Sequence, residues 1–147
     1  MSNQVVTINI VVLNGEKYVR RCLDSVLAQT YPHNLIELNV LDNGSLDNTV
    51  NIIENFKFPK FNFIKSKLNL GMWPGQEKLL KDSTGEYVIF LSVDVILDKD
   101  FISNTVRAMS KDEKIGAVQA KIYSYNIEDI EKEGLSKKTI DTCGFQI

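Results

Sequence analysis

Apolar residues recur along this chain in blocks whose period switches repeatedly between that of a strand and that of a helix. Val5 to Leu13 (VVTINIVVL) is almost continuously apolar and β-branched, as a strand buried on both faces should be, and Asn14-Gly15 breaks it. Between Glu16 and Gln29, the residues Tyr18, Val19, Cys22, Leu23, Val26 and Leu27 form one stripe at helical spacing. Tyr31-Pro32-His33-Asn34 is a turn. Ile36 to Leu41 (IELNVL) predicts a second strand, and Val50, Ile52, Ile53 and Phe56 predict a helix from about Asp47 to Phe56. Phe61-Asn62-Phe63-Ile64 reads as a short third strand, and the polar, glycine-rich Ser66 to Gly75 leads into a helix ending near Asp82. Glu86 to Leu91 (EYVIFL) predicts a fourth buried strand, Asp100 to Ser110 a fourth helix capped by Asp100, and Ile115 to Tyr123 further strand. Asn126 to Lys138 is charged and weakly periodic, the pattern of a surface excursion.

Strands alternating with helices imply right-handed crossovers and a mainly parallel sheet flanked by helices, an α/β fold. Such sheets host many chemistries, so the function has to be read from particular residues.

Composition narrows the field by exclusion. The chain has 147 residues, 44% hydrophobic and 24% charged, with a net charge of −2. It carries no Lys/Arg cluster of the kind that tracks phosphates, so nucleic acid is not an expected partner. Two cysteines and one histidine supply neither a disulfide framework nor a zinc site. No basic and apolar leader is visible, and no apolar run approaches the roughly 20 residues of a membrane span. The expected setting is cytoplasmic, extending to the inner face of the membrane, with any membrane association supplied by regions beyond this sequence. Cys143 to Ile147 reads as the opening of another strand, so residues 1–147 are expected to be one part of a longer domain.

The usual signatures of nucleotide and hydrolase chemistry are missing. The first βα turn, Leu13-Asn14-Gly15-Glu16, lacks GxGxxG, the Gly71–Gln76 segment is not a P-loop, and there is no GxSxG elbow. Cys22 belongs to an apolar stripe and reads as core, and His33 reads as a solvated turn residue. Two aspartates stand out instead. The segment Leu41-Asp42-Asn43-Gly44-Ser45-Leu46-Asp47-Asn48-Thr49 leaves a buried strand and opens a helix. Ligands of open parallel sheets bind outside the carboxyl ends of strands, where Asp42 can accept hydrogen bonds from a base or ribose. Taken alone, the segment reads more simply as a turn, with Asn43-Gly44 bending and Ser45 or Asp47 capping. Ser92-Val93-Asp94 places a second carboxylate at the end of the fourth strand. Mg²⁺ or Mn²⁺ on a nucleotide diphosphate takes one or two protein carboxylates, with phosphates and water completing the shell. Asp94 alone is an ordinary turn aspartate. With Asp42 at the same sheet edge, the pair suggests a nucleotide held at its base or sugar by one and through a metal at the other.

These segments, in this order, resemble family 2 glycosyltransferases of the GT-A fold, closest in style to bacterial rhamnosyltransferase-like members. The resemblance rests on Val11 to Tyr18, on Cys22 to Pro32, on Asp42 to Asp47, on Asn69-Leu70-Gly71, on Thr84 to Leu91, and on Ser92-Val93-Asp94 at the place of the family's DxD motif. It implies a Rossmann-like nucleotide-binding fold and inverting transfer of a sugar from a UDP-, dTDP- or GDP-linked donor to a saccharide or lipid-linked acceptor, in cell-envelope polysaccharide synthesis. By the same resemblance, Asp42 contacts the base or ribose, and Asp94 the ribose and the metal-bound diphosphate. The backbone from Val12 to Asn14 lines the pocket, and Lys67 and Asn69 approach the diphosphate. Glu16 is either a pocket-edge residue or a first-turn glutamate favoured by the helix dipole. Asn69 and Gly71 read equally as turn formers, and Trp73 as a pocket wall or a packed loop residue.

Three positions depart from the family pattern. Val12 stands where a polar residue is common, Ser92 leaves one carboxylate for the metal, and Gln76 replaces a frequent Asn. No residue fills the role of the general base that an inverting transfer needs, and Asp141 reads as structural or sub-site lining. The rival readings are a non-catalytic nucleotide-binding module of the same fold and, more remotely, a nucleotidyltransferase, for which Asn14-Gly15-Glu16-Lys17 is a poor glycine-rich loop.

Overall fold

The computed structural model describes residues 4–125, 128 and 139–142. Its chain forms two compact units, Met1–Arg107 and Ala108–Ile147. In the first, β1 (Val6–Val12), β2 (Ile36–Asp42), β3 (Phe61–Lys65) and β4 (Tyr87–Ser92) make one sheet of order β3-β2-β1-β4. All three pairings are parallel. Every residue of β1 is buried, because a central strand carries helices on both faces. On one face Val6, Ile8, Ile10 and Val12 join a core with Val19, Cys22, Leu23 and Val26 of α1 (Val19–Leu27), Ile53 of α2 (Thr49–Glu54), and Ile102 and Val106 of α4 (Phe101–Met109). On the other face Val11 and Leu41 pack against Leu79 of α3 (Met72–Lys81). Beside them Asn39 donates to Asn9 Oδ1 (3.0 Å) and Asn9 to Ser83 Oγ (3.0 Å), so the buried polar positions of the two central strands satisfy one another.

The α/β architecture and parallel sheet agree with the pattern of the sequence, with four local differences. The first helix begins at Val19, not Glu16, because residues 16–18 form a turn. β4 is one of the two edge strands of this sheet; of its residues only Leu91 is buried and Phe90 is 54% exposed, where full burial was expected. α3 starts at Met72, which puts Pro74 in the first turn, where its missing N–H costs nothing. In the second unit, the described residues form β5 (Ile122–Ser124), antiparallel to β6 (Thr139–Thr142), and residues 115–121 are not the strand expected. Asp141 falls on β6, where the pairing with β5 is irregular. The expected excursion at 126–138, residue 128 apart, and the apolar segment Cys143 to Ile147 lie outside the described residues.

Candidate functional site

β1 ends between the ends of β2 and β4: Val12 pairs with Asp42 and Val11 with Ser92. The chain winds outward from β1 to β2 and β3, then returns to the other side of β1 for β4. Open sheets bind ligands in the crevice outside the carboxyl ends at such a reversal. Asp42 and the turn carrying Asp94 flank it on strands two spacings, or roughly 10 Å, apart.

Asp42 is only 2% exposed. Its carboxylate accepts the N–H groups of Gly44 (3.3 Å) and Ser45 (3.2 Å), closing a turn that runs through Gly44 at φ 89°. A side chain there would be strained, which is why glycine occupies the bend. Next to it Asn43 donates to Asn69 Oδ1 (2.9 Å) and to the Gly71 carbonyl (3.3 Å), and it accepts from the Leu70 N–H (2.8 Å). Asn69 Oδ1 also accepts the Gly71 N–H (2.8 Å). That oxygen therefore shapes the turn before α3, as one of the two sequence readings held. Lys67 is exposed on the same loop.

The loops after β1 and β2 are bonded to each other. Asn14, at φ 50°, donates its N–H to Ser45 Oγ (2.8 Å), and its Oδ1 accepts the Leu46 N–H (2.8 Å). Gly15 N–H donates to Thr49 Oγ1 (2.8 Å) and Glu16 N–H to Asp47 Oδ2 (3.1 Å). Glu16 returns the connection: its carboxylate accepts the N–H of Asn48 (3.0 Å), the residue capping α2. The helix-terminus interaction of Glu16 is thus with α2, and not with the first turn of α1 as expected from sequence. Burial works against ionising Asp47, but the Thr49 hydroxyl and the Thr49 and Glu16 N–H groups outweigh it and lower its pKa. Val12 is buried, and its carbonyl accepts the Asn43 N–H (2.8 Å), extending the sheet past the end of β2.

Across the crevice, Asp94 is exposed, and the Ser92 hydroxyl donates to its Oδ1 (2.5 Å). Cys22 lies beneath, fully buried, with Sγ 3.7 Å from the Ser92 carbonyl. Burial, reinforced by the negative charge of Asp94, pushes the thiol up to about 12, so it stays neutral and unreactive. His33 is half-buried against the Phe58 ring (5.4 Å), not solvated as its turn suggested, and the ring packing makes it a structural residue. Among the described residues no group of three His, Cys, Asp or Glu side chains is arranged to hold a metal. A hard cation fits Asp94 only where a bound diphosphate and water complete its shell, as Mg²⁺ and Mn²⁺ allow. Among the described residues no helix is long and apolar enough to cross a membrane.

The sequence singled out Val12, Asn14, Glu16, Asp42, Lys67, Asn69 and Asp94, and all stand at this carboxyl edge. It read Asn43 only as a turn former and Ser45 only as a cap, and gave Thr49 no role, yet their side chains hold the three loops together. Their signal was the run of small polar residues directly after a buried strand. Trp73 is 77% exposed, so it is not the packed loop residue that was the simpler expectation.

Comparison with known proteins agrees with this geometry. The model of a family described as "Glycosyl transferase family 2" matches residues 7–142. Poly-beta-1,6-N-acetyl-D-glucosamine synthase of Staphylococcus epidermidis is 33% identical over 106 residues, a match covering 71% of this chain and 25% of that protein. Among solved structures, the mannosyltransferase PcManGT from Pyrobaculum calidifontis, in complex with GDP-Man and Mn²⁺, superimposes with a TM-score of 0.71 at 22% identity, covering 76% of this chain and 34% of that one. S. aureus TarS 1-349 in complex with UDP-GlcNAc gives 0.70 at 20% identity, covering 82% and 38%. These structures share the fold, and the chain spans only about a sixth to two-fifths of the length of the proteins it matches.

Proposed function

The chain belongs to glycosyl transferase family 2, and from that premise we propose that it is the donor-nucleotide part of an enzyme that moves a sugar from a nucleotide diphosphate to a saccharide or lipid-linked acceptor, with inversion, in cell-envelope polysaccharide synthesis. The observation that carries the reading is the placement of Asp42 and Asp94 at the ends of β2 and β4, on either side of the last residues of β1. Asp42 serves first as the anchor of its own turn and offers its remaining lone pairs to the base or ribose. The loops of β1 and β2, bonded together in advance, form a rigid floor for the nucleoside, so little ordering is left for binding to accomplish. Lys67 and Asn69 face the diphosphate from the third loop, with Val12, Asn14 and Glu16 along the pocket edge. Asp94, oriented by Ser92, would hold Mg²⁺ or Mn²⁺. When bound, such a cation neutralises charge on the departing diphosphate. The work is done on the cytoplasmic side.

Calorimetric titration of alanine variants tests the assignment. Asp42→Ala should weaken nucleoside diphosphate binding roughly ten- to a hundredfold with or without Mn²⁺, the cost of a lost bond to a charged acceptor. Asp94→Ala should abolish only the Mn²⁺-dependent part. Unchanged affinities in both variants would remove the reading.

A further inference from the structure

Trp73 and Gln76 sit three residues apart near the start of α3, and so share one face of that helix. Trp73 is the only tryptophan of the chain and is 77% exposed. A side chain of that size exposed on a fixed backbone offers a large apolar face on which a ligand can lie. The backbone is fixed on both sides. The Gly71 N–H and carbonyl are held by Asn69 and Asn43, and an added Cβ at Gly75 would meet Val11 Cγ1 and Cγ2 at 3.0 Å and Leu41 Cδ2 at 3.2 Å, so the first turn of α3 lies directly on the sheet. Gln76 is the complement: it is 6% exposed, and its Oε1 has no hydrogen-bond partner among the described residues. Buried acceptors in folded proteins are nearly always paired, so this orphan, three residues along the helix from an exposed indole, calls for a donor that the described residues do not supply.

We propose that Trp73 and Gln76 together bind a pyranose ring, a refinement that rests on the glycosyltransferase reading above. A sugar has the two surfaces this pair lacks: an apolar C–H face to lie on the indole, and hydroxyl donors at its rim. Oε1 is closed to solvent in the resting side chain. A change of rotamer nearer the backbone, at χ1 or χ2 of Gln76, is what carries the amide toward the helix start, the direction in which helical side chains lean. Nucleobases also stack on tryptophan. They would add nothing on going from nucleotide to nucleotide sugar, whereas a pyranose site adds affinity at that step.

The experiment measures the emission of Trp73, undiluted by any other tryptophan, during titration with UDP, GDP, UDP-GlcNAc, GDP-mannose and free N-acetylglucosamine, in Mn²⁺. Calorimetry runs in parallel on wild type, Trp73→Ala, Trp73→Phe and Gln76→Met. A shift of emission with a nucleotide sugar but not with its nucleotide assigns the ring to the donor. A shift with the free sugar alone assigns it to the acceptor. In either case Trp73→Ala should lower affinity for the sugar-bearing ligand roughly five- to tenfold, Trp73→Phe should restore most of it, and Gln76→Met should lose about fivefold, all with unchanged affinity for the nucleotide. If nucleotides bind through Asp42 and Asp94 while no sugar moves the emission, or the variants keep the wild-type preference for the sugar-bearing ligand, this proposal falls and the glycosyltransferase reading stands. If neither nucleotides nor sugars bind, both fall.

Discussion

Glu37, in β2, ties its strand to β1 and to the segment before β4 by three donors. The Thr7 hydroxyl (2.8 Å) and the Thr84 N–H (3.1 Å) reach Oε2, and the Thr84 hydroxyl reaches Oε1. Burial penalises the charge of this carboxylate, but those bonds and the nearby Lys60 more than offset it and lower its pKa. A carboxylate whose pKa is lower folded than unfolded stabilises the fold above its unfolded value and loses that contribution as pH falls through the folded one. Glu37→Gln should therefore lower the melting temperature at pH 7, and the gap to wild type should shrink as pH drops from 5 toward 3. A gap constant with pH would show that the ionised form is not what matters. At this scale the sequence was legible where a residue announces itself by position. Asp42 and Asp94 each follow an apolar strand, and both reached the same sheet edge. The partners of Asn14 were not legible, because Ser45 and Leu46 lie 31 and 32 residues away and nothing local encodes the register of two loops. The same holds for Trp73, whose exposure depends on how α3 meets the sheet.

At the scale of elements, packing between segments is set by a few glycines. At Gly85, just before β4, an added Cβ would sit 2.6 Å from the Thr7 backbone N and 2.7 Å from Thr7 Oγ1. Backbone cannot move aside as a flexible side chain can, so Gly85→Ala must push the start of β4 away from β1. The expected loss is about 1–3 kcal/mol by urea denaturation, the usual cost of overpacking. Gly116→Ala, with nothing within 4 Å of the added atom, should stay within about 0.5 kcal/mol of wild type. Equal effects of the two would contradict the packing argument. β1 and β2 were read nearly to the residue because burial on both faces leaves an uninterrupted apolar run. β4 has the same kind of run and yet is mostly half-buried, since composition does not reveal which strand stands at an edge of a sheet. Residues 115–121 carry β-branched residues but have no pairing strand among the described residues, and propensity without a partner does not make a strand.

For the molecule as a whole, topology explains why a set of loose motifs is specific. The order β3-β2-β1-β4 brings the loops after β1, β2 and β4 to one edge, so residues as far apart as Asn14, Asp42 and Asp94 border one crevice. The family resemblance seen in the sequence is the one-dimensional trace of that arrangement, and the family match over residues 7–142 bears it out. The chain spans about a sixth to two-fifths of the length of the proteins it matches, so the family match speaks for this part of the fold. The central claim, that this crevice is a donor-nucleotide site, is tested most directly by thermal-shift titration of the chain with UDP, dTDP, GDP and CMP, each with and without Mn²⁺. A ligand at a hundred times its dissociation constant adds about 2.7 kcal/mol, several degrees for a domain of this size. The account predicts such a shift for one nucleoside diphosphate, enlarged by Mn²⁺. The absence of a shift with all four nucleotides, with or without the metal, would contradict it.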